Sequence, residues 1–185
     1  MVAALLLAAL VATEVGQVAP PLEGVPGGFQ GQVTLVVFFA TWCKPCHRAF
    51  PELARIDREL TGRARIVLVE AGEAPDEVRL FLAANPPPPG AIVGTDISGE
   101  ARHLWGVHSF PSFYLVDRDE IVRRTQHGWG DGSAATFVRL MHQLLGDPPP
   151  PAPGRNRRHD PVTSERPAGP PEREVVKGVE ILRQP

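Results

Sequence analysis

Val33 to Ala40, VTLVVFFA, is an unbroken run of apolar and β-branched residues, the pattern of a strand covered on both faces and therefore central in a sheet. From Cys46 the period changes. Ala49, Phe50, Leu53, Ile56 and Leu60 recur at helical spacing, with Arg48, Glu52, Arg55 and Glu59 on the opposite face, and the helix should stop near Thr61 and Gly62. RIVLVEA then reads as a second buried strand, PDEVRLFLAAN as a helix with proline at its start, and Pro86 to Pro89 as its stop. Strand, helix, strand predicts a βαβ unit and a parallel pair. The second half reads as a short helix in SGEARHLWGV, then strands SFYLVD and IVRRTQHG joined by the charged turn RDE, an antiparallel hairpin. DGSAATFVRLMHQLLG closes the domain as a helix with Phe137, Leu140, Met141, Leu144 and Leu145 on one face and Gly146 at its end. The predicted fold is α/β, a central mixed sheet of about four strands flanked by helices.

Both ends fall outside this alternation. MVAALLLAALVA is a continuous apolar run of signal-peptide length, too short for a helix to span the ~30 Å of a bilayer. Residues 1–18 are expected to be a signal peptide or an N-terminal apolar anchor associated with a membrane. An exported protein, periplasmic or tethered facing the periplasm, follows from that reading. At the other end, 10 of the 21 prolines follow Gly146. A segment so poor in large apolar residues cannot offset its ordering entropy, so residues 147–185 read as a Pro-rich disordered tail, and EVVKGVEILRQP within it as a marginal strand or helix. The domain proper is 19–146. With 19 basic and 21 acidic residues the net charge is -2, which gives no footprint for a nucleic acid or an anionic lipid surface. One domain and a monomer are expected.

Candidate chemistry centres on Cys43 and Cys46, the only two cysteines, at the start of the first predicted helix. As a structural staple the pair would be poorly placed: closing so short a loop adds roughly 2 kcal/mol, against more than about 4 for a long one. As half of a zinc site it lacks a second pair and any H-x3-5-H spacing. A redox couple fits better. A cysteine at a helix N-terminus has its thiolate stabilised by unpaired backbone N–H groups, and a partner three residues on lies within bonding reach.

The strand, then WCKPC, then a helix carrying Pro51 five residues after Cys46, with SFPSF further on, resembles the active site of the thioredoxin superfamily. The segment TDISGEARHLWGVHSFPSFYLVDRDE is similar to its exported TlpA/ResA-like branch, and the likeness covers about Gln32 to Leu145. The resemblance implies a thiol-disulfide oxidoreductase with no bound cofactor and no metal, acting on protein disulfides or dithiols and served by an upstream electron donor or acceptor. Cys43 would be the nucleophile and Cys46 the resolving thiol. Pro111 stands at the family's cis-proline, with the Phe110 main chain free for an extended substrate. Trp42 would pack beside the turn or serve as a substrate platform, and Gly128 would leave room for substrate. Two positions depart from the family: its buried acids would fall at Val37 and Ala49, neither of which can take a proton. His47 is the nearest titratable substitute, and Lys44 would favour a Cys43 thiolate through its charge. A thioredoxin-like copper chaperone, with His47 or His108 as third ligand, is the second reading.

Overall fold

A computed structural model describes residues 13–60 and 62–147, together with the paired strands at 173–176 and 179–182. Residues 1–12 of the expected leader and 148–172 of the expected tail lie outside the described residues.

The apolar run forms β1 (Thr34–Phe39), buried at every position, and it is the middle strand of five. α1 (Lys44–Glu59) carries the second strand, β2 (Arg65–Glu70), back parallel to β1 with Phe39 opposite Glu70. α2 (Pro75–Ala84) leads to β3 (Ile92–Thr95), parallel to β2, and α3 (Glu100–Leu104) leads across to the other side of β1. There β4 (Ser112–Val116) runs antiparallel to β1 and pairs with β5 (Val122–His127) before α4 (Ser133–Leu145) ends at Gly146, whose φ of 81° suits glycine at a helix stop. The sheet order is β3-β2-β1-β4-β5. The mixed sheet flanked by helices is the expected fold, with one strand more than the pattern predicted.

Alternation along β1 feeds two cores. Leu35, Val37 and Phe39 pack with Phe50, Leu53 and Ile56 of α1, Phe81 of α2 and Phe137 and Met141 of α4, and both cysteines belong to this cluster. Val36 and Phe38 point the other way, to Trp105, Tyr114 and the buried Ala19, Val25 and Phe29 of the N-terminal segment. Residues 13–18, read from the sequence as part of the leader, are joined to the domain. Gly16 N–H donates to Val122 O at 2.8 Å, and Val122 N–H donates to Gln17 O at 2.9 Å. The domain therefore extends N-terminally of residue 19, because the edge of β5 offers backbone groups that this segment satisfies.

The expected tail likewise begins one residue too early. Asp147 holds Arg63 through two hydrogen bonds of 2.9 and 2.6 Å and His142 at 2.9 Å. Farther on, β6 (Arg173–Val176) and β7 (Val179–Leu182) pair antiparallel as a separate two-stranded unit.

Candidate active site

β1 delivers the chain to a turn at Ala40–Cys43, closed by Cys43 N–H to Ala40 O at 3.2 Å, and α1 starts at the next residue. Cys43 is the helix N-cap: its Sγ accepts the Cys46 N–H at 3.2 Å, one of the donors a helix start leaves unpaired. Pro45 lies in the first turn, where the missing N–H costs nothing. Cys43 and Cys46 are joined in a disulfide with their Cα atoms 5.3 Å apart. In this oxidised form both are buried, Cys43 at 3% exposure and Cys46 at 0%. The first cysteine is less open than its place at a helix start suggests, because the turn folds it into the α1–α4 core.

The second wall of the site comes from the loop before β4. The Phe110–Pro111 peptide is cis, and among the described residues neither backbone group of Phe110 makes a hydrogen bond. Trp42, 70% exposed, packs edge-on against the Phe110 ring at 5.8 Å, so the two aromatic residues meet across the site. Pro111 O accepts the Gly128 N–H at 2.7 Å. Gly128 has φ of 79° with nothing within 4 Å of where a Cβ would stand, so its backbone conformation is what asks for glycine there. Trp129 packs on Phe113 and Phe137 and covers the core. Just behind the proline, Ser112 Oγ lies 2.7 Å from Ser109 O and 2.9 Å from His127 Nδ1.

Beneath the cysteine turn, Glu73 accepts both the Thr41 N–H and the Thr41 hydroxyl, each at 2.7 Å. His47 Nε2 bonds the Thr41 carbonyl at 3.1 Å while its ring packs on Phe81 at 4.8 Å, so this histidine is anchored to the turn although exposed. Lys44 is exposed and makes no ion pair among the described residues. Behind Glu73 lies Glu70, fully buried at the end of β2. Burial pushes its carboxyl above the ordinary range, and the Glu73 carboxyl beside it adds to the rise against hydrogen bonds from the Glu73 and Gly72 amides. Sequence reasoning passed over Glu70, Glu73 and His127. The one local signal was a glutamate closing the otherwise apolar RIVLVE.

Among the described residues no group of three or more His, Cys, Asp or Glu side chains could hold a metal ion. Of the two histidines weighed as a third copper ligand, His47 bonds the Thr41 carbonyl, and His108 lines a cavity with Thr13, Glu14, Tyr114 and His127. No helix among the described residues is long and apolar enough to cross a membrane.

Residues 31–122 match the thioredoxin-like family. The chain is 33% identical over 121 residues to the thiol:disulfide interchange protein CycY of Rhizobium leguminosarum bv. viciae, covering 64% of this chain and 63% of that protein. It is 31% identical over 98 residues to the thiol:disulfide interchange protein DsbE of Allochromatium vinosum, with 53% and 52% covered. The matches thus span between about half and two thirds of these relatives' lengths. Among solved structures, one described as a thiol:disulfide interchange protein DsbE from Chlorobium tepidum superposes with a TM-score of 0.65 at 24% identity, over 73% of this chain and 100% of that one. StoA of Bacillus subtilis gives a TM-score of 0.53 at 20% identity, over 69% and 97%. At these identities the structural likeness shows the fold.

Proposed function

Because the folded domain belongs to the thioredoxin-like family, we propose that this chain is a thiol-disulfide oxidoreductase exchanging disulfides with protein substrates through Cys43 and Cys46. The observation that carries the reading is the disulfide at the start of α1, with the N-cap sulfur receiving the Cys46 N–H, together with the Phe110 main chain, which makes no hydrogen bond among the described residues. The same Cys46 N–H that meets Cys43 Sγ stabilises its thiolate once the bond is opened.

In the reducing direction, the Cys43 thiolate attacks a substrate disulfide, one sulfur leaves as thiolate, and Cys43 is joined to the other. Cys46 then loses its proton and attacks Cys43 Sγ; the intramolecular disulfide forms and the second substrate sulfur leaves. Two electrons pass from the dithiol to the substrate, and a dithiol protein upstream restores them. Run backwards, the same steps oxidise a substrate dithiol. An extended substrate segment pairs with Phe110 N–H and C=O as an added strand, with Trp42 and Pro111 beside the reacting sulfurs and the Gly128 turn at the rim. Lys44 supplies positive charge near the Cys43 thiolate, and His47 is the titratable side chain anchored to the same turn through the Thr41 carbonyl. The chain works as a monomer without cofactor, on the exported side of a membrane, the last point resting on the apolar run in residues 1–12.

The two cysteines should fail differently when removed. Cys46→Ser leaves the first attack intact and blocks resolution, so mixed disulfides with partner proteins accumulate and disappear with dithiothreitol; Cys43→Ser forms none. Non-reducing gels and mass spectrometry of the adducts read this out, and equal trapping by both variants would refute the assigned roles.

A further inference from the structure

Glu70 is the buried acid of this domain that no cation meets. The other two buried acids among the described residues are satisfied, Asp96 by Arg102 and Asp117 by Arg123. One Glu70 carboxyl oxygen accepts the Glu73 N–H at 2.9 Å, and the other, fully buried, has no partner. Its position relates it to the disulfide. Ile66 and Leu68, four and two residues earlier in β2, belong to the cluster that contains both cysteines, and the two-residue period of a strand puts Glu70 on that same face. Phe39 is its strand partner, and the chain leaving Phe39 makes the turn that ends at Cys43. Glu73, whose carboxyl lies against that of Glu70, grips this turn through Thr41.

Burial in apolar surroundings, with one oxygen bare, raises the proton affinity of the Glu70 carboxyl, and the Glu73 carboxyl beside it adds to the rise. The remaining groups around Glu70 offer no competing charge. β1 and the turn after it contribute Phe39 and Ala40; from α1 the nearby titratable side chain is His47, engaged with the Thr41 carbonyl; the residue after β3, Asp96, donates its N–H to Glu70 O while its carboxylate turns to Arg102.

We propose that Glu70, paired with Glu73, is the proton-exchanging group of the Cys43–Cys46 couple, receiving the Cys46 proton during resolution and returning it to the departing thiolate. The assignment rests on the disulfide-exchange reading above. The step balances without another reactant. The Cys46 S–H proton passes to the carboxyl pair, the sulfur's electron pair forms the Cys43–Cys46 bond, the bond from Cys43 to the substrate sulfur breaks, and the leaving thiolate takes the proton. Val37 and Ala49 can supply no such group from β1 or α1.

Glu70→Gln keeps an oxygen for the Glu73 N–H and cannot exchange a proton. Reduced protein mixed with oxidised glutathione, quenched in acid and weighed by mass spectrometry, separates attack by Cys43 from resolution by Cys46. In the variant, attack should stay within about twofold of the native rate, while loss of the Cys43–glutathione adduct should slow at least about tenfold between about pH 5.5 and 7 and recover above about pH 9, where solvent takes the proton. Native resolution rates at every pH would overturn the proposal. A native protein that never resolves its adduct would instead defeat the disulfide-exchange reading. Infrared difference spectra of the native protein, dithiol minus disulfide, give a readout free of any variant's folding. A protonated-carboxyl band that changes with redox state supports the assignment, and an unchanged carboxyl region overturns it.

Discussion

Ser112 Oγ carries one hydrogen, and the Ser109 carbonyl at 2.7 Å can only accept it. His127 Nδ1, 2.9 Å from the same oxygen, must then be the donor, and both the neutral Nδ1–H tautomer and the imidazolium meet that demand. This bond ties the end of β5 to the residue after Pro111 and holds the Ser109–Pro111 loop against which Trp42 packs. His127→Leu leaves a buried hydroxyl oxygen short of a donor. The expected result is a KM for a protein disulfide raised about three- to tenfold, the worth of one hydrogen bond, with kcat within about twofold. His127→Asn, whose side-chain amide can donate from nearly the same place, should restore most of the loss. An unchanged KM in the leucine variant would show that the loop is held by other contacts. The Cys43–Cys46 pair was legible from its spacing, and the cis peptide before Pro111 from the family resemblance alone. Glu70 and His127 were not, since what they do is decided by Phe39 and Ser112, strand partners distant in sequence. A glutamate at a strand end and a histidine before a glycine read locally as solvated.

At the level of elements, residues 16–19 cap the start of the β5 edge, bonding to Glu120 and Val122, and place Ala19 in the second core. A chain starting at residue 20 is therefore expected to melt several degrees below one starting at residue 13, and to associate at concentrations where the longer chain stays monomeric. Paired melts and light scattering check this; coincident curves would show that the segment rests on the domain without supporting it. Residues 13–18 were read with the leader because they follow directly on the apolar run, and Val25 and Phe29 belong to no periodic pattern because they reach the core from turns rather than from a helix or strand. β3 escaped for a related reason. Its four residues include Gly94 and are half-buried or exposed, and β2 beside them makes them a strand. α1, α4, β1 and β2 were legible because each shows its full period over enough residues to fix its buried face.

For the whole domain, its acids set two opposing trends of stability with pH. Hydrogen bonds from Arg63 and then His142 hold Asp147 down to about 2, and Asp117 is lowered as well, burial being outweighed by the Ile121 and Asp119 amides and by Arg123. Groups lowered in the fold contribute stability above their unfolded range, near 3.8, and lose it as pH falls through the folded value, so the domain weakens in acid. Glu70 has the opposite sign. Its folded pKa is raised above 4.5 by burial, so its contribution is complete below that value and is lost as pH rises through the folded pKa. A proton-exchanging group kept in an apolar site therefore costs stability at neutral pH, which a neutral side chain of the same shape would not. Glu70→Gln should accordingly melt a few degrees above the native protein near pH 8 and match it near pH 4, where the native carboxyl is protonated whether the chain is folded or not. Thermal melts of both oxidised proteins at the two pH values decide it. A difference in melting temperature that is the same at both would mean that Glu70 carries no buried charge to lose, and that its side chain is held by the Glu73 amide alone.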